Sequence, residues 1–390
     1  MNVLFIYSGI IDPLKGGVER VTCVLRDFFQ ENNIKVYFLS LAGKIDDNNA
    51  SAEQYYLPNP DDLHDNENVN FYLSFLESKS IDKVINQGGL SPRTSGFSYY
   101  CKCNPKVSLI SVIHSSLLAS IKNYSISYFE KYKKYHLTSF LALTDYSIVK
   151  KIILYLYKWK YQKHYKNLLE NSNYVILLSQ NYKEELSFFV PDYDNNKVVA
   201  IPNPCSFSFS FNLDNKQKEI LYVGRIDTYQ KRVDLLLKVW HKLYLLFPEW
   251  HLKVVGGGDE LIAIKEMSKK LGLDRISFEG FKDPTIEYQT ASIFCMTSAF
   301  EGFPMVLPEA MQNGVVPVIF NSYLSANDLI DDGENGFLVK PFDLNDYCLK
   351  IQLLINNHEL RCEMAKAAFL KSQDFSISNI GTMWLTLLKL

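Results

Sequence analysis

The feature that most limits what this chain can fold into is a series of short, mostly apolar runs separated by longer stretches of mixed character. In the first half, runs rich in Val, Ile and Leu fall at 3–7, 34–39, 83–86, 107–113, 174–178 and 197–201. In the second half they fall at 220–223, 252–255, 276–278, 293–296, 316–320 and 336–339. Short runs without polar alternation suit strands covered on both faces, as in parallel sheets. Parallel strands need long crossovers, and the stretches between the runs carry helical apolar spacing. This is α/β order, repeated twice.

A chain of 390 residues suggests two or three domains at about 150 residues each. The best boundary is Pro202-Asn203-Pro204 followed by the polar segment 206–218, after which a second set of runs begins. The expected division is therefore a first domain at 1–205 and a second at 206–375. A terminal helix at 376–390, with apolar residues at Ile377, Ile380, Met383, Trp384 and Leu387, is expected to pack back on the first domain.

Composition excludes several classes. With 47% hydrophobic and 22% charged residues the chain reads as an ordinary globular protein. A net charge of −2 gives no global attraction to nucleic acid. The seven cysteines are scattered and odd in number, which fits a reducing compartment better than a disulfide scaffold. Cys101 and Cys103 are too close for the usual zinc spacing, so no metal site is expected. The opening residues Met1–Tyr7 read as a strand and not as a secretory leader. No run of eighteen apolar residues occurs, and the expected location is cytoplasmic.

In open parallel sheets, ligands bind beyond the carboxyl ends of strands, so the chemistry should sit in the turns that follow them. After the first run, Gly16-Gly17 opens a helix whose free amides favour an anion; a plain turn would also explain two glycines. After the run 220–223 come Gly224 and Arg225, with Lys231 six residues beyond Arg225. A guanidinium fork and an ammonium beside glycine suit a diphosphate, the alternative being a solvated pair. After the run 293–296 comes Glu301-Gly302-Phe303-Pro304-Met305-Val306-Leu307-Pro308-Glu309. The two prolines mark a helix start, which leaves the amides of Met305, Val306 and Leu307 for phosphate oxygens. Glu301 and Glu309 are placed to accept from hydroxyl pairs of a sugar and a ribose, or else to lie at the surface and solvate the helix. His114 ends the apolar run 107–113. The dinucleotide fingerprint G-x-G-x-x-G is not completed at Gly16-Gly17 or at Gly256-Gly257-Gly258.

Glu301, seven residues, Glu309 and then Ala310-Met311 together resemble the acidic motif of family 4 retaining glycosyltransferases of the GT-B fold. Tyr222–Ile226, Lys231 and Asp234-Leu235-Leu236 resemble that family's phosphate-binding stretch. Gly16-Gly17 resembles its N-terminal glycine loop, Ile201-Pro202-Asn203 its interdomain entry, and 254–259 its glycine turn. The resemblance implies two Rossmann-like domains with parallel sheets facing an interdomain cleft. It also implies a nucleotide-diphosphate sugar as donor, a UDP-sugar favoured over a GDP-sugar, and no cofactor or metal. Arg225 and Lys231 would bind the diphosphate with the amides of Met305 and Val306, in the loop Gly302-Phe303-Pro304. Glu309 would hold the ribose and Glu301 the donor sugar. The nucleobase would lie near Gly280-Phe281-Lys282, and His114 near the anomeric carbon. The implied activity is hexosyl transfer with retention to a glycan or lipid-linked acceptor, in cell-surface polysaccharide or glycoconjugate synthesis.

Arg232 departs from the family, which commonly has glycine there; the expectation is a further phosphate cation or a solvated residue. Pro308 leaves open which amides reach the phosphate. Two stretches, 128–135 and 150–166, interleave Lys with Tyr and Trp. They suit peripheral contact with an anionic membrane, or a solvated helix with an aromatic inner face. A nucleotide-sugar epimerase of the same fold and a non-catalytic sugar-nucleotide or glycan-binding module are the competing readings. A dehydrogenase lacks its glycine fingerprint.

Overall fold

Each of the twelve apolar runs forms a strand in the computed structural model, which describes residues 1–41, 54–59, 61–127, 146–205 and 211–390. The stretch 128–135 lies outside the described residues.

The chain divides into two units, one of residues 1–115, 157–206 and 376–390, the other of 116–156 and 207–375. The first holds a seven-stranded sheet: β1 (Asn2–Tyr7), β2 (Lys35–Ser40), β3 (Gln54–Tyr56), β4 (Lys83–Asn86), β5 (Ser108–Ile113), β6 (Tyr174–Leu177) and β7 (Val198–Ala200). Their order across the sheet is β3-β2-β1-β4-β5-β6-β7, and every pair is parallel. The edge strand β3 was not expected, because its three residues Gln54-Tyr55-Tyr56 carry none of the branched aliphatic signal of the others.

The second unit holds β8 (Glu219–Val223), β9 (His251–Val255), β10 (Ile276–Gly280), β11 (Ile293–Met296), β12 (Val316–Phe320) and β13 (Phe337–Val339). Their order is β10-β9-β8-β11-β12-β13, again all parallel. The apolar runs are explained by this burial. In the central strand β11, Ile293, Phe294 and Cys295 have no exposure at all. Trp240, on the helix Val233–Leu243, packs in the same core, and its indole N–H donates to the Asp274 carbonyl at 3.1 Å.

In both sheets chain order reverses beside the first strand, between β1 and β4 and between β8 and β11. Such a switch point leaves a crevice outside the carboxyl ends of the two strands, where neighbouring crossovers diverge. The turns after β8 and β11 carry Arg225, Lys231 and Glu301.

The helix Ile377–Leu388 belongs to the first unit and packs on the helix Gly17–Glu31. Trp384 meets Phe29 edge-on at 6.4 Å, and a side chain at Gly381 would stand 2.3 Å from the Phe28 ring. The sequence reading put all of 1–205 in the first domain, whereas residues 116–156 group with the second unit. Within that unit the Asn123 amide donates to the carbonyls of Ala299 at 2.6 Å and Ser322 at 3.0 Å. This amide is one tie between the segment and the turns that carry Ala299 and Ser322.

Glycines let the turns after β8 and β9 touch. Gly256 has φ 144°, and a Cβ on it would stand 1.8 Å from the Gly224 carbonyl oxygen. Both the positive φ and the backbone clash forbid a side chain. Gly256→Ala should lower unfolding free energy by about 2 kcal/mol or more in urea titration. A loss smaller than about 0.5 kcal/mol would contradict this close approach.

Candidate functional site

The loop between β8 and the helix Val233–Leu243 is shaped by Asp227. Its Oδ1 accepts from the amides of Tyr229 at 3.1 Å, Gln230 at 2.6 Å and Lys231 at 2.9 Å. Its Oδ2 accepts from Arg225 Nε at 2.8 Å. Burial alone would raise the Asp227 carboxyl, but the Arg225 guanidinium and the loop amides outweigh it and hold it below the ordinary range. Asp227 therefore stays charged and fixes the position of both cations.

From Arg225 the polar chain continues across the switch point. Its guanidinium donates to Gln230 Oε1 at 3.0 Å, and Gln230 Nε2 donates to Glu301 Oε2 at 3.1 Å and to the Phe300 carbonyl at 3.2 Å. Lys231 Nζ completes the group on Glu301 Oε1 at 2.6 Å. The Lys231 and Glu301 side chains are 16% and 7% exposed, whereas Arg225 is 61% exposed. A carboxylate so buried must be paired, and Lys231 supplies the opposite charge. The structure thus brings together Arg225, Lys231 and Glu301, residues 70 or more positions apart in part. Asp227 and Gln230, which hold them, were missed; an Asp four residues before the lysine of a loop was the available sign.

The helix after β11 runs Val306–Gln312, with Pro304 just before it and Pro308 in its first turn. The Leu307 amide donates to the Pro304 carbonyl at 3.1 Å, so of the three amides expected for phosphate this one is spent within the turn. Those of Met305 and Val306 have no acceptor among the described residues. Gly302 is anchored through its carbonyl by Ser325 Oγ at 2.7 Å, and the Phe303 ring packs on Phe375 with centroids 5.3 Å apart. Phe303 is thus a core side chain, and any ligand contact it makes is through its backbone. Glu309 is the fourth residue of the helix and is wholly buried, with the Tyr288 hydroxyl 3.2 Å from Oε2. The burial of Glu301 and Glu309 rules out the alternative that they are surface residues.

Arg232 corrects both expectations. It neither adds a cation at the loop mouth nor reaches solvent. Its guanidinium grips Asp234 through two bonds of 2.9 and 2.8 Å, and the two side chains are 3% and 1% exposed. Its φ of 52° explains why glycine suits this position, since left-handed backbone costs a side-chain-bearing residue about 1 kcal/mol.

Gly224 and Gly256–Gly258 form the floor beside Arg225, with the amides of Gly224 and Ile226 donating to the carbonyls of Val255 and Gly257 at 3.0 and 2.8 Å. Phe281 follows β10 and is 71% exposed, its Cβ 3.5 Å from the position a Gly257 side chain would take. Lys282 turns aside to Glu287 at 2.6 Å and Glu279 at 3.1 Å.

In the first unit, Gly16 precedes the helix Gly17–Glu31 in extended backbone, and beside Gly17 there is open space. His114 follows β5. Its Nε2 lies 2.6 Å from Gln87 Oε1, while Gln87 Nε2 donates to Thr22 Oγ1 at 3.0 Å and that hydroxyl donates to the Val18 carbonyl at 2.7 Å. This relay orients the Gln87 amide, so the neutral ring carries its proton on Nε2 and leaves Nδ1 as a bare acceptor. Nδ1 has no hydrogen-bond partner among the described residues. Burial pushes the imidazole down to about 4. With the folded value depressed, the contribution of neutral His114 to stability is full above the unfolded value near 6.5 and is lost as pH falls towards 4. NMR titration should show His114 neutral at pH 5.5 and above, with a midpoint near 4. A midpoint near 6.5 would contradict the enclosed ring.

Residues 206–371 match the family model described as glycosyl transferases group 1. The chain is 34% identical over 203 residues to an uncharacterized glycosyltransferase of Haemophilus influenzae, covering 51% of this chain and 57% of that protein. It is 30% identical over 196 residues to an α-1,4-N-acetyl-D-galactosaminyltransferase of Campylobacter jejuni whose name includes a diNAcBac-PP-undecaprenol glycan, covering 49% and 54%. The chain spans little more than half the length of these relatives. Among solved structures, Anabaena HepE in complex with UDP and glucose aligns with TM-score 0.73 and 16% identity, over 100% of this chain and 99% of that one. At that identity the likeness concerns the fold alone, which is GT-B.

Proposed function

We propose that this protein is a retaining glycosyltransferase that moves a sugar from a nucleotide-diphosphate sugar to a hydroxyl of a glycan or lipid-linked acceptor. The observation that carries the proposal is the grouping of Arg225, Lys231 and Glu301 at the β8–β11 switch point, with the amides of Met305 and Val306, which have no acceptor among the described residues, a few positions after Glu301. Two cations after one strand and two amides after its neighbour suit a diphosphate. A buried carboxylate next to them suits a sugar hydroxyl. The matches to named sugar transferases favour transfer over epimerisation or simple binding.

In this reading Arg225 takes the outer phosphate oxygens with its exposed fork, and Lys231 serves both Glu301 and the phosphate. Glu301 holds the transferred sugar, Glu309 the ribose, and Phe281 offers a ring face to the base. His114 is assigned to the transferred sugar on the family resemblance, as an uncharged acceptor. The bond from the anomeric carbon to the phosphate oxygen breaks as the acceptor oxygen forms its own bond on the same face. The acceptor proton passes to the leaving diphosphate. Catalysis then rests on charge stabilisation by Arg225, Lys231 and the amides, without a metal, and on positioning. A UDP-sugar is the favoured donor, since HepE holds UDP in the same fold. A cytoplasmic site of action and a role in cell-surface polysaccharide or glycoconjugate synthesis complete the proposal.

Lys231→Ala should lower turnover at least about a hundredfold, in line with the loss of one transition-state donor. The variant also strips Glu301 of its buried partner, so the double variant Lys231→Ala/Glu301→Gln serves as the folding control. Release of nucleoside diphosphate from a panel of sugar nucleotides gives the rate. Wild-type turnover in either variant would sink the phosphate assignment.

A further inference from the structure

Arg232 is the single residue between Lys231 and the helix Val233–Leu243. That helix is seated in the core, with Val233, Leu236 and Leu237 buried. The torsions at Arg232 therefore set how the Lys231 side chain leaves the loop relative to a fixed helix. They stand at φ 52° and ψ 46°, a left-handed turn that glycine enters freely and a residue with a side chain does not.

Three contacts hold this turn. The Val233 amide donates to the Asp227 carbonyl at 3.2 Å and closes the loop at its base. Beyond β11, the buried Thr297 hydroxyl donates to the Arg232 carbonyl at 3.0 Å, with the Lys231 carbonyl 3.3 Å away. The third contact is the Arg232 side chain itself. Its Nε and Nη2 donate to the two carboxylate oxygens of Asp234 at 2.9 and 2.8 Å, so the guanidinium reaches over the turn to the second residue of the helix. Lys238 adds a second cation to Asp234 at 3.5 Å. For a pair only 3% and 1% exposed, desolvation offsets most of the attraction, so stability alone is a poor reason for it. A two-point grip does fix geometry, and a residue kept in a sparsely populated backbone region is a mark of sites that need one arrangement.

We propose that Arg232 is a positioning residue: its fork on Asp234 locks the left-handed turn and so presets the Lys231 ammonium on Glu301 for the leaving diphosphate. The inference rests on the sugar-transfer reading. As the sugar–phosphate bond breaks, negative charge grows on the phosphate oxygen, and an ammonium already in place meets it without reorganising. Without the fork Lys231 keeps its charge but loses its fixed direction.

The double variant Arg232→Gly/Asp234→Asn removes the fork without stranding a buried carboxylate, and glycine keeps the left-handed turn accessible. Release of nucleoside diphosphate from sugar nucleotides is measured beside thermal unfolding. The variant should melt within a few degrees of the wild type and lose about tenfold in kcat, with the donor KM moved less than about threefold. Arg232→Lys keeps a cation on Asp234 without the two-point grip and should share most of that loss. In a Lys231→Ala background, removing the fork should cost less than about twofold more, because the group it positions is gone. A full tenfold loss in that background, a loss carried by KM alone, full activity in Arg232→Lys, or turnover of the fork variant within about twofold of the wild type would each overturn the proposal. A wild type that turns over no sugar nucleotide would remove the transferase reading and this one with it. Losses that multiply in an active enzyme would remove this one alone.

Discussion

Two sheets built wholly of parallel strands impose the constraint on which everything else depends. Such sheets are covered on both faces, so the strands are mostly apolar, and β11 is close to wholly buried. Charged chemistry is displaced to the turns at the strand ends. Where chain order reverses between β8 and β11, two turns face one crevice. The Lys231–Glu301 pair at 2.6 Å joins those two turns, and Asp227, Gln230 and Arg225 tie that pair into one group. A buried pair of this kind is a weak source of stability, because desolvation offsets most of the attraction. Its value lies in holding an ammonium and a carboxylate at fixed positions before any ligand arrives.

Much of this was legible along the chain. The branched aliphatic runs gave twelve strands because burial on both faces leaves no room for polar alternation. The edge strand β3 escaped, since Gln54-Tyr55-Tyr56 has no such run. Arg225, Lys231, Glu301 and Glu309 stood out because each follows a strand end or opens a helix. What the pattern did not carry was pairing. Nothing local says that Lys231 and Glu301 meet, or that Gln87 and Thr22 orient His114. Arg232 shows the same limit: its left-handed backbone and its grip on Asp234 are tertiary facts. So is the grouping of residues 116–156 with the second unit, where the Asn123 amide donates to two carbonyls of other turns.

The prolines show how local chemistry refines a site. Pro304 removes one amide and its carbonyl takes another, that of Leu307, leaving Met305 and Val306 as the two donors at this turn among the described residues. Glu309, in the first turn and beside the Tyr288 hydroxyl, is enclosed and not solvated. Its burial makes it a fixed acceptor in a dry setting, where a hydrogen bond to a hydroxyl counts for more than in water.

The central claim is that this group of residues binds a nucleoside diphosphate, and thermal unfolding with UDP, GDP, ADP and CMP tests it most directly. A ligand at a hundred times its dissociation constant adds about 2.7 kcal/mol, a rise of several degrees for a domain of this size. The account predicts selective stabilisation by one diphosphate, lost in Glu309→Gln. No shift with any nucleotide, or a shift that Glu309→Gln leaves unchanged, would contradict it.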